Sequence, residues 1–335
     1  MPTRHDLVRP DGAIREGRMR QPGVPGVQRE ALYFLDKPAH WRTVQRNRRQ
    51  DLKFCSLIGR LAVRSLYAEL ALYPKPGLVS LMDNGSHDDM DAGTFMRSLF
   101  ALRHYFVRIA VAGFHDAPFA KLKRLGIEAE ARMMRATGGT NTHRGAIFCL
   151  GMLCAAFGRC RAQRTPSSPQ AIRAILLTQW GQALDEHTQG GLPRTHGQCV
   201  AAAHAVSGAR EEVAQGLPSV FDVALPALQQ TLSEGRGARA ARVDAFFSLM
   251  AHINDTNVYH RGGASGAEMV RICARTFLDQ GGSAHPAWER AAQACHRLFV
   301  EKRLSPGGAA DLLAATVFVH QCTEGLTAPS WQQAA

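Results

Sequence analysis

An all-α fold, one globular bundle-like domain with functional loops between its helices, is predicted by three features of this 335-residue sequence. Apolar residues recur every three to five positions through segments of helical length. Proline and glycine punctuate those segments, and no alternating β-branched run of strand length occurs. The first helix covers 52–73, with Leu57, Leu61, Leu66 and Leu70 on its apolar side. It stops at Pro74-Lys75-Pro76-Gly77, where two prolines and a glycine forbid continuation. The second covers 91–112 and carries a Phe95, Leu99, Leu102, Phe106 and Ile109 stripe. The third, 126–137, ends in Gly138-Gly139. The fourth, 142–158, is apolar almost all round, the mark of a buried helix. Further helices are expected at 169–186, 196–207, 209–216, 218–234, 239–254, 265–280, 285–303 and 308–323.

Residues 1–50 read differently. They hold eleven Lys/Arg against five Asp/Glu, so half of the net charge of +12 lies in this one segment. With Pro22-Gly23-Val24-Pro25-Gly26 and little periodicity, the segment is expected to be a basic, flexible extension. Residues 51–325 are then the catalytic domain and 326–335 a tail. The mild positive balance of the domain suits a polyphosphate substrate. Nucleic acid is not expected as a partner, because the 7% aromatic residues fall on apolar stripes rather than on basic faces. An apolar content of 45% excludes disorder for the chain as a whole. The eight cysteines form no C-x-x-C and read as reduced core thiols. No uncharged apolar run reaches about eighteen residues and no apolar leader follows Met1, so a cytoplasmic protein off the membrane is expected.

Polar residues concentrate at the helix junctions. The loop from Tyr73 to Asp91 offers four aspartates, a histidine and a lysine, and a loop of this length inside a compact domain is usually functional. Oxygen ligands at that density suit Mg²⁺, although Ser86 or Asp88 capping the next helix would account for one or two of the acids. In Ala136-Thr137-Gly138-Gly139-Thr140-Asn141-Thr142-His143-Arg144-Gly145, a glycine pair precedes a helix start, with Asn141 or Thr142 as cap and Arg144 as an anion clamp. The same pair serves equally as a helix terminator, and His143 as a bonded core histidine. In the run from His252 to Gly263, helical spacing sets His252, Thr256 and His260 on one face and Asp255 beside Tyr259 on another. In Leu304-Ser305-Pro306-Gly307-Gly308-Ala309-Ala310-Asp311-Leu312-Leu313, either Gly308 opens the last helix with Asp311 in its first turn, or the segment forms the floor of the site.

Five strings in one order are similar to the triphosphoribosyl-dephospho-CoA synthases. They are Tyr73-Pro-Lys-Pro-Gly-Leu-Val, Asn84-Gly-Ser-His-x-Asp-Met90, Ala136-Thr-Gly-Gly-x-Asn-Thr-His-Arg-Gly-Ala146, Asp255-Thr-Asn and Ser305-Pro-Gly-Gly-x-Ala-Asp-Leu312. The likeness covers about residues 55–323. It implies an all-α enzyme that joins ATP to 3′-dephospho-CoA, the 2′-hydroxyl displacing adenine from the ribose. The product is the precursor of an acyl-carrier prosthetic group. Ser80, where the citrate lyase branch has Asp, and Arg144, where that branch tends to Lys, resemble the malonate decarboxylase branch. Its acyl-carrier subunit is then the eventual partner.

Under that resemblance Asp88, Asp89 and Asp91 are expected to hold Mg²⁺. Asp255, His143 and Glu130 form the catalytic set. Lys75, Asn84, His87, Gly138, Gly139, Asn141, Thr142, Arg144, Asn257, His260 and Arg261 are expected around ATP and dephospho-CoA. The chemistry asks for a carboxylate near an oxocarbenium-like ribose, a base for the hydroxyl and a hydrogen-bond donor for adenine. Asp89, His143 and Asp255 should therefore share one pocket, with like-charge crowding raising a carboxylate pKa. Rival readings are the same reaction for citrate lyase, a Mg²⁺-dependent ADP-ribose-type glycohydrolase and a basic helical nucleic-acid-binding protein.

Overall fold

The computed structural model describes residues 39–189 and 208–327. Among the described residues there are eleven α-helices and no strand: α1 (Ala39–Leu70), α2 (Ala92–Phe114), α3 (Phe119–Ala136), α4 (Arg144–Gln163), α5 (Pro169–Gln189), α6 (Ala209–Ala214), α7 (Leu225–Ser233), α8 (Gly237–His252), α9 (Thr256–Asp279), α10 (Trp288–Glu301) and α11 (Gly307–Thr327). A π-helical turn, Ser219–Ala224, runs straight into α7. The expected helix over 196–207, residues 1–38 and residues 328–335 lie outside the described residues. From Arg46 onward the chain forms one compact unit.

Helix α4 lies at the centre, packed against α2, α3, α5 and α11. Apolar all round, it buries nearly every residue from Ala146 to Cys160. It is also long and apolar enough to cross a membrane, but 72% of that stretch is buried inside the fold. Glycines set how closely α2 and α4 approach. A Cβ at Gly158 would fall 2.0 Å from the Ala110 carbonyl oxygen, and one at Gly113 would fall 2.1 Å from the Ala155 oxygen. The buried Tyr105 hydroxyl donates to the Ile147 carbonyl at 3.0 Å. Five described cysteines, Cys55, Cys149, Cys154, Cys160 and Cys322, are buried free thiols, as core cysteines should be.

Several helix boundaries differ from expectation, among them the end of α4 at Gln163 rather than 158, and three differences stand out. Helix α1 begins at Ala39, so residues 39–50, read as extension, are helical. That stretch holds neither proline nor glycine to stop it. Helix α3 starts at Phe119 after Pro118 and runs through Gly126, which marks no boundary. The third difference shapes the site. Helix α8 ends at His252, Ile253 is extended, and Asp255 caps a new helix that begins at Thr256. His252 therefore does not share a helical face with Thr256 and His260.

Candidate active site

Two carboxylates tie together the starts of three helices. Asp255 is the N-cap of α9, and its Oδ1 accepts the Asn257 N–H at 2.9 Å. Its Oδ2 accepts the Ala309 N–H, in the first turn of α11, at 2.9 Å. Asp311, one turn along α11, accepts the Ala146 N–H at the start of α4. Glycine makes both contacts feasible. A Cβ at Gly308 would lie 3.0 Å from Asp255 Oδ2, and one at Gly145 would lie 2.2 Å from Asp311 Oδ2. Burial raises the pKa of both carboxyls. Four backbone N–H groups oppose the rise at Asp255, whereas Glu69 and Asp255 add to it at Asp311. The expected raised carboxylate is present, with desolvation as its leading cause and like charge second.

These carboxylates line a cavity of about 230 Å³ with Cys149, Glu212, His252 and Thr256. Neither Asp89 nor His143 lines it. The expectation of one pocket shared by Asp89, His143 and Asp255 is therefore not met. Glu212 accepts both the hydroxyl and the N–H of Ser219, which fixes it on the cavity wall.

His143 lies deeper, 2% exposed and edge-on to Phe95. Thr142 donates to Ser98 Oγ at 2.8 Å, and Ser98 Oγ meets His143 Nδ1 at 2.7 Å. That order gives the serine proton to Nδ1 and leaves the proton of Nε2 without an acceptor. Burial, helped by the nearby Lys75 charge, lowers the His143 pKa to about 3, so the ring is neutral. Lys75 is itself 1% exposed, with its ammonium on the Glu69 carboxylate and on the Glu69 carbonyl at 2.9 Å. As placed, it cannot serve as the expected phosphate clamp; a partnered ammonium beneath the site is what the fold provides.

The Gly138-Gly139 pair closes α3. Gly138 and Gly139 adopt φ of 67° and 94°, and the Gly139 N–H returns to Met134 O at 2.8 Å. That N–H is not available to cradle phosphate. The N-cap position of α4 is His143 rather than Asn141 or Thr142, and Asn141 Oδ1, two residues ahead of it, accepts the Arg144 N–H at 3.2 Å. The Arg144 side chain meets Glu130 at 2.6 Å, so the two expected site residues neutralise one another, each about a third exposed.

The 73–91 loop docks on α9 and on the α10–α11 connection. Arg261 donates to Ser86 O at 2.9 Å and to His87 Nδ1 at 3.0 Å. With Nδ1 accepting, Nε2 carries the ring proton toward Ser305 Oγ, 2.8 Å away. Burial and the Arg261 charge lower the His87 pKa, so the Asp89 carboxylate 3.4 Å from Nδ1 faces a neutral ring. Asp88 and Asp89 are exposed, as are Asn84, Asn257, His260 and Arg261. Asp91 has a different role from the one expected. Its Oδ1 accepts the Thr94 N–H and hydroxyl, both at 2.7 Å, in a capping box at the start of α2. Those bonds hold its carboxyl below the usual range. Among the described residues no three His, Cys, Asp or Glu side chains converge on a metal-sized space.

A protein-family model described as CitG, ATP:dephospho-CoA triphosphoribosyl transferase, matches residues 55–330. The chain belongs to this family. Its relatives include proteins named probable 2-(5''-triphosphoribosyl)-3'-dephosphocoenzyme-A synthase. The one from Acinetobacter calcoaceticus is 39% identical over 77% of this chain and 88% of its own length. Those from Photobacterium profundum and Vibrio cholerae are 36% and 38% identical, over 82% and 80% of this chain and 91% and 88% of theirs. No solved structure matches.

The chain is thus a transferase of the triphosphoribosyl-dephospho-CoA synthase family, and the geometry explains its motifs. Gly145 of one string carries Asp311 of another. Asp255 and Asn257 press on Gly308 and Gly307, a Cβ at Gly307 falling 2.9 Å from Asn257 Nδ2. Sequence reasoning left Glu212 and Cys149 out of the site, read His252 only as part of a polar helix end, and offered Asp311 as a first-turn residue or part of the site floor. Asp311 had a signal, its place in a matched string; Glu212, one of two adjacent glutamates, had none. For Mg²⁺ the fit is partial. Asp91 is engaged as a cap, and Asp88 with Asp89 supplies the one or two carboxylates that the ion takes when phosphates and water complete its shell.

Proposed function

We propose that this transferase joins the triphosphoribosyl group of ATP to the 2′-hydroxyl of 3′-dephospho-CoA with release of adenine. The observation that carries the reading is the pair of carboxylates, Asp255 and Asp311, on the wall of one cavity. Breaking a ribosyl C–N bond develops positive charge at the anomeric carbon, and fixed negative charge beside it lowers the barrier. Exposed Arg261, with Asp88 and Asp89 on the loop that it holds, is suited to the triphosphate and its Mg²⁺. When bound there, the ion would neutralise phosphate charge. His87 ties that loop to Arg261 and Ser305.

The malonate decarboxylase branch is supported by Ser80. It is 2% exposed and its Oγ accepts the Met82 and Asp83 N–H groups, so an uncharged turn stands where the citrate branch has an acid. In this reading the product passes to the acyl-carrier subunit of that enzyme, in the cytoplasm.

The test incubates purified protein with ATP and Mg²⁺, with and without 3′-dephospho-CoA, and follows free adenine by chromatography. Adenine is expected only when dephospho-CoA is present. Equal release without it would identify a glycohydrolase instead. Loss of the prosthetic group from the malonate decarboxylase carrier subunit on gene deletion, seen by intact mass, tests the branch.

A further inference from the structure

The cavity beside Asp255 has room for a ring system rather than for one or two waters. Its volume of about 230 Å³ is several times the ~30 Å³ that a water takes in the liquid. Ile253, Pro218 and Leu312 contribute to its lining alongside the carboxylates of Glu212, Asp255 and Asp311. A flat heteroaromatic base with ring nitrogens matches such a space. Expelled as an anion, adenine is a poor leaving group; taking a proton as the bond breaks, it departs neutral.

The two helix-start carboxylates are not equivalent. Both oxygens of Asp255 accept backbone N–H groups, from Asn257 and Ala309, and the residue is 6% exposed. Val258 and Gly308 add two further N–H groups. Asp311 accepts one, from Ala146, and keeps part of its surface open. Its neighbours Asp255 and Glu69 are carboxyls as well. Where two carboxyls face one site, the one held by more hydrogen-bond donors stays ionised and the other, beside like charge, keeps the proton.

Resting on the triphosphoribosyl transfer proposed above, we infer that Asp311 is the general acid that protonates the departing adenine from the wall of this cavity. In the step, the 2′-hydroxyl oxygen of dephospho-CoA forms a bond to the ribose anomeric carbon. The carbon–nitrogen bond to adenine breaks and its electron pair stays with the base, which takes the Asp311 proton. The hydroxyl proton returns Asp311 to its acid form, so the reaction closes without a further reactant. Asp255 stays anionic opposite the developing ribosyl charge. It is held too fully by N–H groups to act as a mobile base.

The experiment measures adenine release by wild type and Asp311→Asn with ATP, Mg²⁺ and dephospho-CoA as a function of pH. The asparagine can still accept the Ala146 N–H. The expected result is a kcat lower by about 10²–10⁴-fold, with KM for both substrates little changed. The wild-type kcat should fall as pH rises through the Asp311 pKa, and the variant should lack that basic limb. The charged or titratable groups around Asp311 are Glu69 with Lys75, Asp255, Glu212, Cys149 and His252, and all of them remain in the variant. If Asp311→Asn does not fold, the wild-type limb decides, and a kcat that stays flat to about pH 9 overturns the inference. A variant with wild-type kcat and the same limb also overturns it while leaving the transferase reading intact. Absence of dephospho-CoA-dependent adenine release by the wild type removes both.

Discussion

Gly145 shows how one missing side chain can hold a site open. Its Cα lies against Asp311 Oδ2, and an alanine methyl would fall 2.2 Å from that oxygen. The carboxylate would have to leave the Ala146 N–H, so Gly145→Ala should cost about 1–3 kcal/mol in urea unfolding. It should also lower activity. Both residues stand in strings that carried the family likeness, yet their contact across about half of the chain cannot be read from either string. His143 was legible as either ligand or core histidine, and its 2% exposure places it in the core. Its pKa falls from 6.5 to about 3 on folding, so in that interval the unfolded chain binds the extra proton. Stability should therefore drop as pH falls from about 6.5 toward 3, and His143→Asn should flatten that part of a urea-midpoint profile.

At the scale of elements, the short break at 253–255 was the feature least visible beforehand. It contains no proline or glycine, and its polar residues sit at helical spacing, so the pattern read as one polar helix end. The available signal was Asp255 as an N-cap, whose value depends on a tertiary partner, the start of α11. Asp255→Ala should cost more than an ordinary surface cap. It strips an acceptor from Asn257 and from the buried Ala309 N–H, each worth about 1–3 kcal/mol. Asp255→Asn keeps one acceptor oxygen and should lose about half as much, by thermal or urea melting. The starts of α2, α4, α5 and α11, set by Asp, Asn, Pro and Gly signals, fall within two residues of the expected ones because those signals are local, whereas the start of α3 at Pro118 was missed.

For the whole molecule, the all-α class was legible because apolar periodicity survives in every helix that packs on α4. The placement of charge was not. Pro74-Lys75-Pro76-Gly77 reads as an exposed, basic turn, and only the fold buries Lys75 against Glu69. The acid-rich loop likewise reads as one metal site, whereas Asp91 is a cap and Asp88 and Asp89 are exposed. The carboxylate links among α4, α9 and α11 have a consequence for motion. The amides of Ala146, Asn257 and Ala309 belong to helices remote in sequence, but each is held by a bond that fails when these ends separate. In native-state deuterium exchange they should open together as one cooperative unit, with a shared denaturant dependence that neighbouring first-turn amides on α3 or α5 lack. Scattered rates for the three would mean that each helix frays alone.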